Sequence, residues 1–93
     1  MADTTRWSAL DHLDTGEEQA AYLDAALDDG DSGLVATVIG DIARARGVTR
    51  FAEETGIDVR TIELTFCPEG SPSFDSIAKV ARLLGLRLKL VAA

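Results

Sequence analysis

Few residues of this chain have the types and spacing that catalysis or metal binding requires. His12 is the only histidine and Cys67 the only cysteine, which excludes an internal disulfide and a Cys-rich zinc site. Residues 30–33, Gly-Asp-Ser-Gly, match the motif around the nucleophile of chymotrypsin-like serine proteases. A chain of 93 residues is too short for that two-barrel fold, and its one histidine is distant. The motif is better explained by Asp31 or Ser32 capping the helix that follows.

The remaining polar clusters do not form a catalytic or ligand-binding set. The acidic stretch at residues 28–31 lacks the alternating ligands and the closing glutamate of a calcium loop. The sequence contains no Gly-rich phosphate loop, and no carboxylate is paired in sequence with a base or nucleophile. We therefore expect a protein that is not an enzyme and has no catalytic residue, cofactor or metal site.

Residues 51–62 instead have the spacing of a helix-turn-helix. Ala52 is small enough for a second helix to approach closely, and Gly56 can adopt the positive φ of a sharp turn. Ile62 lies where the second helix must return an apolar side chain to the first. A helix, a glycine turn and a helix also occur in plain helical hairpins. The combined spacing of the three residues is what favours DNA binding.

Five helices are expected to position this motif. Thr15 and Glu18 form a capping-box pair at the start of the first helix, the second covers residues 34–46, and Ser73 caps the last. The predicted apolar face of the first helix is Ala21, Tyr22, Ala25 and Ala26, with Leu23 and Leu27 on its flank. That of the second helix is Leu34, Val35, Val38, Ile39 and Ile42. That of the last helix is Phe74, Ile77, Ala78, Ala81 and Leu84.

In the motif itself, Thr49 is expected to cap the first helix and Asp58 the second. The second then runs to about Phe66, with Ile62 and Phe66 facing inward. Residues 86–90 alternate apolar and basic side chains, which is typical of a half-buried strand. Because one strand cannot stand alone and no second is evident, its partner is expected to be another chain.

Charge divides the chain into two parts. The net charge is −7, but residues 1–33 hold nine acids against Arg6 alone, a charge of −8, whereas residues 34–93 hold seven acids and eight bases. We therefore treat 1–33 as an acidic helical segment suited to a basic protein partner and 34–93 as the helix-turn-helix domain with its strand. No apolar run approaches the roughly 20 residues of a membrane span, and no signal peptide is evident, so a cytoplasmic location is expected.

Several short stretches, taken together, resemble the addiction-module antidote proteins, antitoxins of the HigA-like type with a phage-repressor-style helix-turn-helix. The resemblance covers nearly the whole chain and depends on residues 22–27, 42–47, 52–56, 68–70 and 83–88. It implies an all-α, five-helix, phage-repressor-like DNA-binding domain, usually dimeric, here with a short C-terminal strand. It also implies a RelE/HigB-like toxin partner, a basic protein that cleaves mRNA at the ribosome, and repression of the shared operon.

The sequence departs from this family in the second helix of the motif. Such proteins usually carry Ser-Arg at its start and an aromatic-Lys pair in its middle, where this chain has Asp58, Val59, Glu63 and Leu64. Two acids and two apolar side chains thus stand where the family has contacts to phosphate or bases. Each lost phosphate contact removes roughly one unit from the slope of the salt dependence of binding.

Five residues remain candidates for contacts to operator DNA. Thr49 and Arg50 at the start of one helix could hold a phosphate. Arg60 and Thr61 could read base edges, and Arg60 is suited to guanine. Asp58 begins the helix that carries them.

Two alternatives to an antitoxin stay open. The chain could be a free-standing repressor without a toxin, which the neighbouring gene would reveal. It could also be a protein-interaction module that has lost DNA binding, as the acid at Glu63 and the overall charge suggest. In the leading interpretation the chain forms a homodimer, with its C-terminal strand as the candidate interface.

Overall fold

The computed structural model describes residues 15–88, which form five α-helices and no strand. The helices are α1 (Gly16–Asp29), α2 (Ser32–Arg46), α3 (Val48–Thr55), α4 (Val59–Thr65) and α5 (Phe74–Leu83). The all-α prediction is thus confirmed over this span. No helix in this part of the chain is long and apolar enough to cross a membrane.

Most helices begin where local capping chemistry places them. The Thr15 hydroxyl accepts a hydrogen bond from the Glu18 N–H, and the Glu18 carboxylate accepts one from the Thr15 N–H, each at 3.1 Å, as predicted. Asp31 caps α2 by accepting from the N–H groups of Gly33 and Leu34. The predicted caps at the starts of α4 and α5 are also present.

The predicted cap at Thr49 is wrong. α3 begins one residue earlier, at Val48, because Gly47 adopts a φ of 95° and takes the N-cap position. The Phe51 N–H then donates to the Gly47 carbonyl at 2.8 Å. Thr49 therefore lies inside the first turn of α3, with its side chain exposed.

The core is centred on α2, which contacts α1, α3 and α4. Two predicted apolar faces are rotated relative to the structure. In α1, Leu23 is fully buried and Ala21 is exposed, since burying the larger side chain removes more apolar area from water. In α5, the inward face is centred on Val80, which leaves Phe74 on the outside. The buried apolar residues are Leu23, Ala26, Val35, Ala36, Val38, Ile39, Ile42, Ala43, Phe51, Ile57, Ile62, Phe66, Val80 and Ala81.

Gly40 allows α4 to lie directly against α2. A Cβ atom at this position would overlap the carbonyl oxygen of Phe66, the residue that ends α4. Gly70 has the same function in the following loop, where a Cβ would overlap the carbonyl oxygen of Thr65. The backbone of α4 is therefore positioned by contacts that only glycine permits.

The predicted C-terminal strand does not form at residues 86–88, and residues 89–90 lie outside the described part of the chain. Gly85, with a φ of 77°, turns the chain back at the end of α5. The N–H of Leu86 then donates to the carbonyl of Ala81, and that of Gly85 to Arg82, which is a Schellman motif. The first residue of the alternating pattern thus completes a helix terminus instead of entering a sheet.

Candidate functional site

The helices α3 and α4 are joined by a short turn at residues 56–58. Gly56 ends α3 with a φ of 80°, and its N–H donates to the carbonyl of Ala52 at 2.9 Å. Ile62 is buried in the core on the inner side of α4, and Ala52 packs against the same core. Each of these three residues therefore has the structural position that its spacing predicted.

The outer side of α4 carries Arg60, Glu63 and Leu64. All three are exposed, and the side chain of Leu64 is 65% accessible. Arg60 and Leu64 are one turn apart, on the side opposite the buried Ile62. Within residues 15–88, neither Arg60 nor Glu63 is engaged in a salt bridge, so the fold leaves this surface open to a partner.

At the start of α4, Asp58 and Thr61 bond to each other. The Thr61 N–H donates to one Asp58 carboxylate oxygen at 3.3 Å, and the Thr61 hydroxyl donates to the other at 2.7 Å. The bond from the Thr61 hydroxyl is the main reason that the pKa of Asp58 lies below its ordinary value. While this cap is intact, the Thr61 hydroxyl can only accept a hydrogen bond from a base edge.

At the start of α3, Arg50 is exposed but held by a carboxylate. Its Nε donates to Glu54 at 3.1 Å, while its side chain is 70% accessible. Because this bond uses Nε, the two terminal nitrogens of the guanidinium are left for an external anion. Thr49 lies beside it in the same turn, so the structure brings this predicted pair together.

Glu54 and its neighbours form a polar chain that the sequence interpretation missed. Arg46 donates to the second Glu54 oxygen at 3.1 Å and to the side-chain oxygen of Gln19 on α1 at 2.6 Å. The bond from Arg46, assisted by Arg50, holds the pKa of Glu54 below its ordinary value, although partial desolvation opposes the shift. The four-residue spacing of Arg50 and Glu54 is visible in the sequence. The contact between Arg46 and Gln19, 27 residues apart, has no sequence signal.

Metal-binding chemistry has no support in the part of the chain that the structure describes. No group of three or more His, Cys, Asp or Glu residues there could hold a metal ion. Cys67 is a partly buried free thiol whose sulfur donates to the carbonyl of Leu64 at 3.6 Å. His12 lies outside the described residues.

Comparison with known proteins gives one family and one relative. A family model described as "Probable addiction module antidote protein" matches residues 3–92. An uncharacterized protein from Haemophilus influenzae (strain ATCC 51907 / DSM 11121 / KW20 / Rd) is 31% identical over 84 residues, which cover 90% of this chain and 87% of that protein. No solved structure matches the chain.

Proposed function

The chain belongs to the family of probable addiction-module antidote proteins, and from this premise we propose that it is the antitoxin of a type II toxin-antitoxin module. It neutralises a RelE/HigB-like mRNA-cleaving toxin by direct binding and represses its own operon through α3 and α4. The family match over residues 3–92 is the observation that carries the antitoxin part of the proposal. The protein acts by binding, without a cofactor, in the cytoplasm where both partners occur.

The charge of α1 supports a basic toxin as the partner of the N-terminal segment, residues 1–33. Glu17, Asp24, Asp28, Asp29 and Asp31 are exposed. Residues 15–33 contain no lysine or arginine. An acidic surface of this kind increases the rate of encounter with a basic protein and disfavours acidic ones.

Operator binding is supported by the surfaces of α3 and α4. Arg60 projects from the outer side of α4, where it could bond both acceptors of a guanine, and the terminal nitrogens of Arg50 could bind a phosphate. Asp58 contributes by fixing the first turn of α4 and the orientation of Thr61. The domain at residues 34–93 has a charge near zero, so binding depends on few phosphate contacts and should be weak, with a shallow dependence on salt concentration.

Co-expression with the adjacent toxin-like reading frame tests the antitoxin proposal. We expect the chain to restore growth to cells that produce the toxin and to co-purify with it. If the chain neither rescues growth nor co-purifies, the antitoxin proposal is wrong. The absence of a toxin-like frame beside the gene would favour a free-standing repressor.

Substitution of Arg60 tests operator binding separately. In mobility-shift titrations against the upstream region, Arg60→Ala should weaken binding by about 1–3 kcal/mol and relax specificity at one base pair. Arg60→Lys is the matched control, because it keeps the charge and loses the bidentate geometry. It should preserve most of the affinity but not the specificity. Unchanged affinity and specificity in both variants would show that Arg60 does not read a base.

An interaction module without DNA binding is the second candidate. Glu63 places an acid on the outer side of α4, beside the surface that would face phosphates. Failure of the wild-type protein to bind the upstream region specifically at low and at moderate salt would favour this function. Toxin binding would be unaffected by that result.

A further inference from the structure

Glu63 and Leu64 are neighbours of Arg60 on the outer side of α4. They follow Arg60 by three and four residues, and all three side chains are exposed. Residues at these spacings are adjacent on a helix surface, here with a rise of about 4.5 and 6 Å beyond Arg60. A groove that admits Arg60 therefore also admits Glu63 and Leu64. We call these three residues the α4 outer surface.

The carboxylate of Glu63 is not neutralised within the described part of the chain. Arg44 lines the same small cavity as Glu63, but its salt bridge is to Asp41 at 2.6 Å. No salt bridge in residues 15–88 involves Glu63. An ionised carboxylate only accepts hydrogen bonds, so against DNA it needs a donor on a base. Without a donor it is repelled by the phosphates.

The major groove offers such a donor on two bases. They are the N4 amino group of cytosine and the N6 amino group of adenine. Adenine also has the acceptor N7 beside its donor, and this acceptor repels a carboxylate, whereas cytosine presents the donor alone. Glu63 is therefore suited to cytosine and disfavoured opposite the other bases.

Leu64 is suited to a different feature of the same groove. Its side chain is 65% accessible, beside two charged residues. The apolar group that the major groove presents is the C5 methyl of thymine. Contact with this methyl removes apolar area of both partners from water, which favours thymine over the other bases.

We propose that Glu63 and Leu64 determine the specificity of operator recognition, with Glu63 reading a cytosine and Leu64 the methyl group of a thymine. The inference rests on the operator binding proposed above. Adjacent base pairs are about 3.4 Å apart, so both bases lie within one or two steps of the guanine that Arg60 contacts. Glu63 lowers the affinity for every sequence that lacks the cytosine, since it is then an unpaired acid near phosphates. It thereby increases specificity at the expense of affinity.

The test of Glu63 uses the full chain to select sites from a pool of random duplexes, followed by mobility-shift titration of single-base-pair variants. The wild-type protein should prefer cytosine at one position by about fivefold, the lower end for a base contact because one donor is used. Glu63→Gln should change this preference to adenine, which glutamine bonds through N6 and N7. It should also bind random-sequence DNA more tightly, because an acid is removed.

Glu69→Gln is the matched control for this substitution. Glu69 is exposed in the loop that follows α4, and the change of charge is the same. This variant should keep the base preferences of the wild type. Far-UV circular dichroism checks that each variant folds.

Replacing single thymines of the selected duplex by uracil tests Leu64, because the change removes only the C5 methyl group. One such replacement should weaken binding of the wild type by about fourfold, as expected for one buried methylene-sized group. Leu64→Ala should bind the thymine and uracil duplexes with affinities within about twofold of each other. An equal loss in both proteins would show that Leu64 does not contact the methyl.

The outcomes separate this inference from the proposed function. If Glu63→Gln binds every sequence more tightly and keeps the wild-type base preferences, Glu63 is a solvated acid. The inference is then wrong while operator binding stands. If the wild-type protein selects no sequence, both the inference and the operator part of the proposed function are wrong. Growth rescue in the presence of the toxin would still support the antitoxin part.

Discussion

The helix pairs α1–α2 and α3–α4 are held together by different interactions. Between α1 and α2 the structure buries two polar side chains, Gln19 (3% exposed) and Asp41 (fully buried), and each bonds to the other helix. In α3 and α4, one residue per helix is buried, Phe51 in α3 and Ile62 in α4.

This difference shows how the chain separates stability from binding. Buried polar bonds tolerate few alternative arrangements, because a displaced partner is left unsatisfied away from water. The α1–α2 pair is therefore expected to pack in a single arrangement. α4 uses Ile62 and the close approach at Gly40 for its position, and Arg60, Glu63 and Leu64 are exposed on its outer side. Their identities can change with the partner while the fold is kept.

The largest expected effect on stability comes from adding a methyl group where α2 and α4 lie in direct contact. Gly40→Ala places a Cβ on the carbonyl oxygen of Phe66, and neither backbone can yield without separating α2 from α4. We expect a loss of about 3 kcal/mol in the free energy of unfolding, the upper end for overpacking, even though alanine favours a helix by about 1 kcal/mol. Urea denaturation followed by circular dichroism measures it.

Gly16→Ala is the matched control for this substitution. Gly16 is also helical, but a Cβ there meets no atom within 4 Å. Its stability should equal that of the wild type or exceed it by up to about 1 kcal/mol. If the two variants are equally stable, α4 does not depend on the glycine contact, and the contrast between the two helix pairs is wrong.

The parts of the fold that the sequence predicted are those determined by neighbouring residues. The caps at Thr15, Asp58 and Ser73 depend on a side chain and an N–H three residues away, so the pattern alone reveals them. For the second helix the pattern gave Asp31 or Ser32, and the structure has Asp31. The Thr49 cap failed although it is local, because a glycine two residues earlier took the N-cap position.

The parts that could not be predicted depend on distant residues. Which face of α1 is buried is decided by the helix that packs on it, and sequence periodicity alone placed Leu23 on the flank. Gly40 meets Phe66, 26 residues away, and Asp41 meets Tyr22, 19 residues away. At the candidate site, the exposure of Arg60 follows from helical periodicity once Ile62 faces inward. Whether Arg60 contacts DNA depends on a partner and stays a prediction.

A smaller effect is expected from removing the buried carboxylate between α1 and α2. Asp41 accepts from the Tyr22 hydroxyl at 3.3 Å and pairs with Arg44 at 2.6 Å. Asp41→Ala leaves the partly buried Tyr22 hydroxyl without this acceptor, whereas Arg44, with 57% of its side chain exposed, can turn to water. The expected loss is therefore about 2 kcal/mol in the free energy of unfolding.

Asp24→Ala serves as the control, since Asp24 is an exposed acid on α1. It should change the free energy of unfolding by no more than about 0.5 kcal/mol. A similar result for Asp41→Ala would show that apolar contacts alone hold α1 on α2. The comparison between the two pairs would then lose its physical basis.

The smallest effect concerns Glu54, which links the two helix pairs. It lies on α3 and accepts from Arg46 on α2, which also bonds to Gln19 on α1. Because these bonds lower the pKa of Glu54 in the folded state, its contribution to stability is fully present above the unfolded value of about 4.3. That contribution is lost as the pH falls through the folded pKa.

The difference in stability between the wild type and Glu54→Gln should therefore be constant from pH 7 to about pH 5 and shrink below about pH 4.3. Urea denaturation of both proteins across this range measures it, and the lowered pKa of Asp58 cancels because both proteins retain that residue. A difference that persists unchanged at low pH would mean that Glu54 acts through its shape and neutral hydrogen bonds. The link between the rigid α1–α2 pair and the helices that face the partner would then not depend on charge.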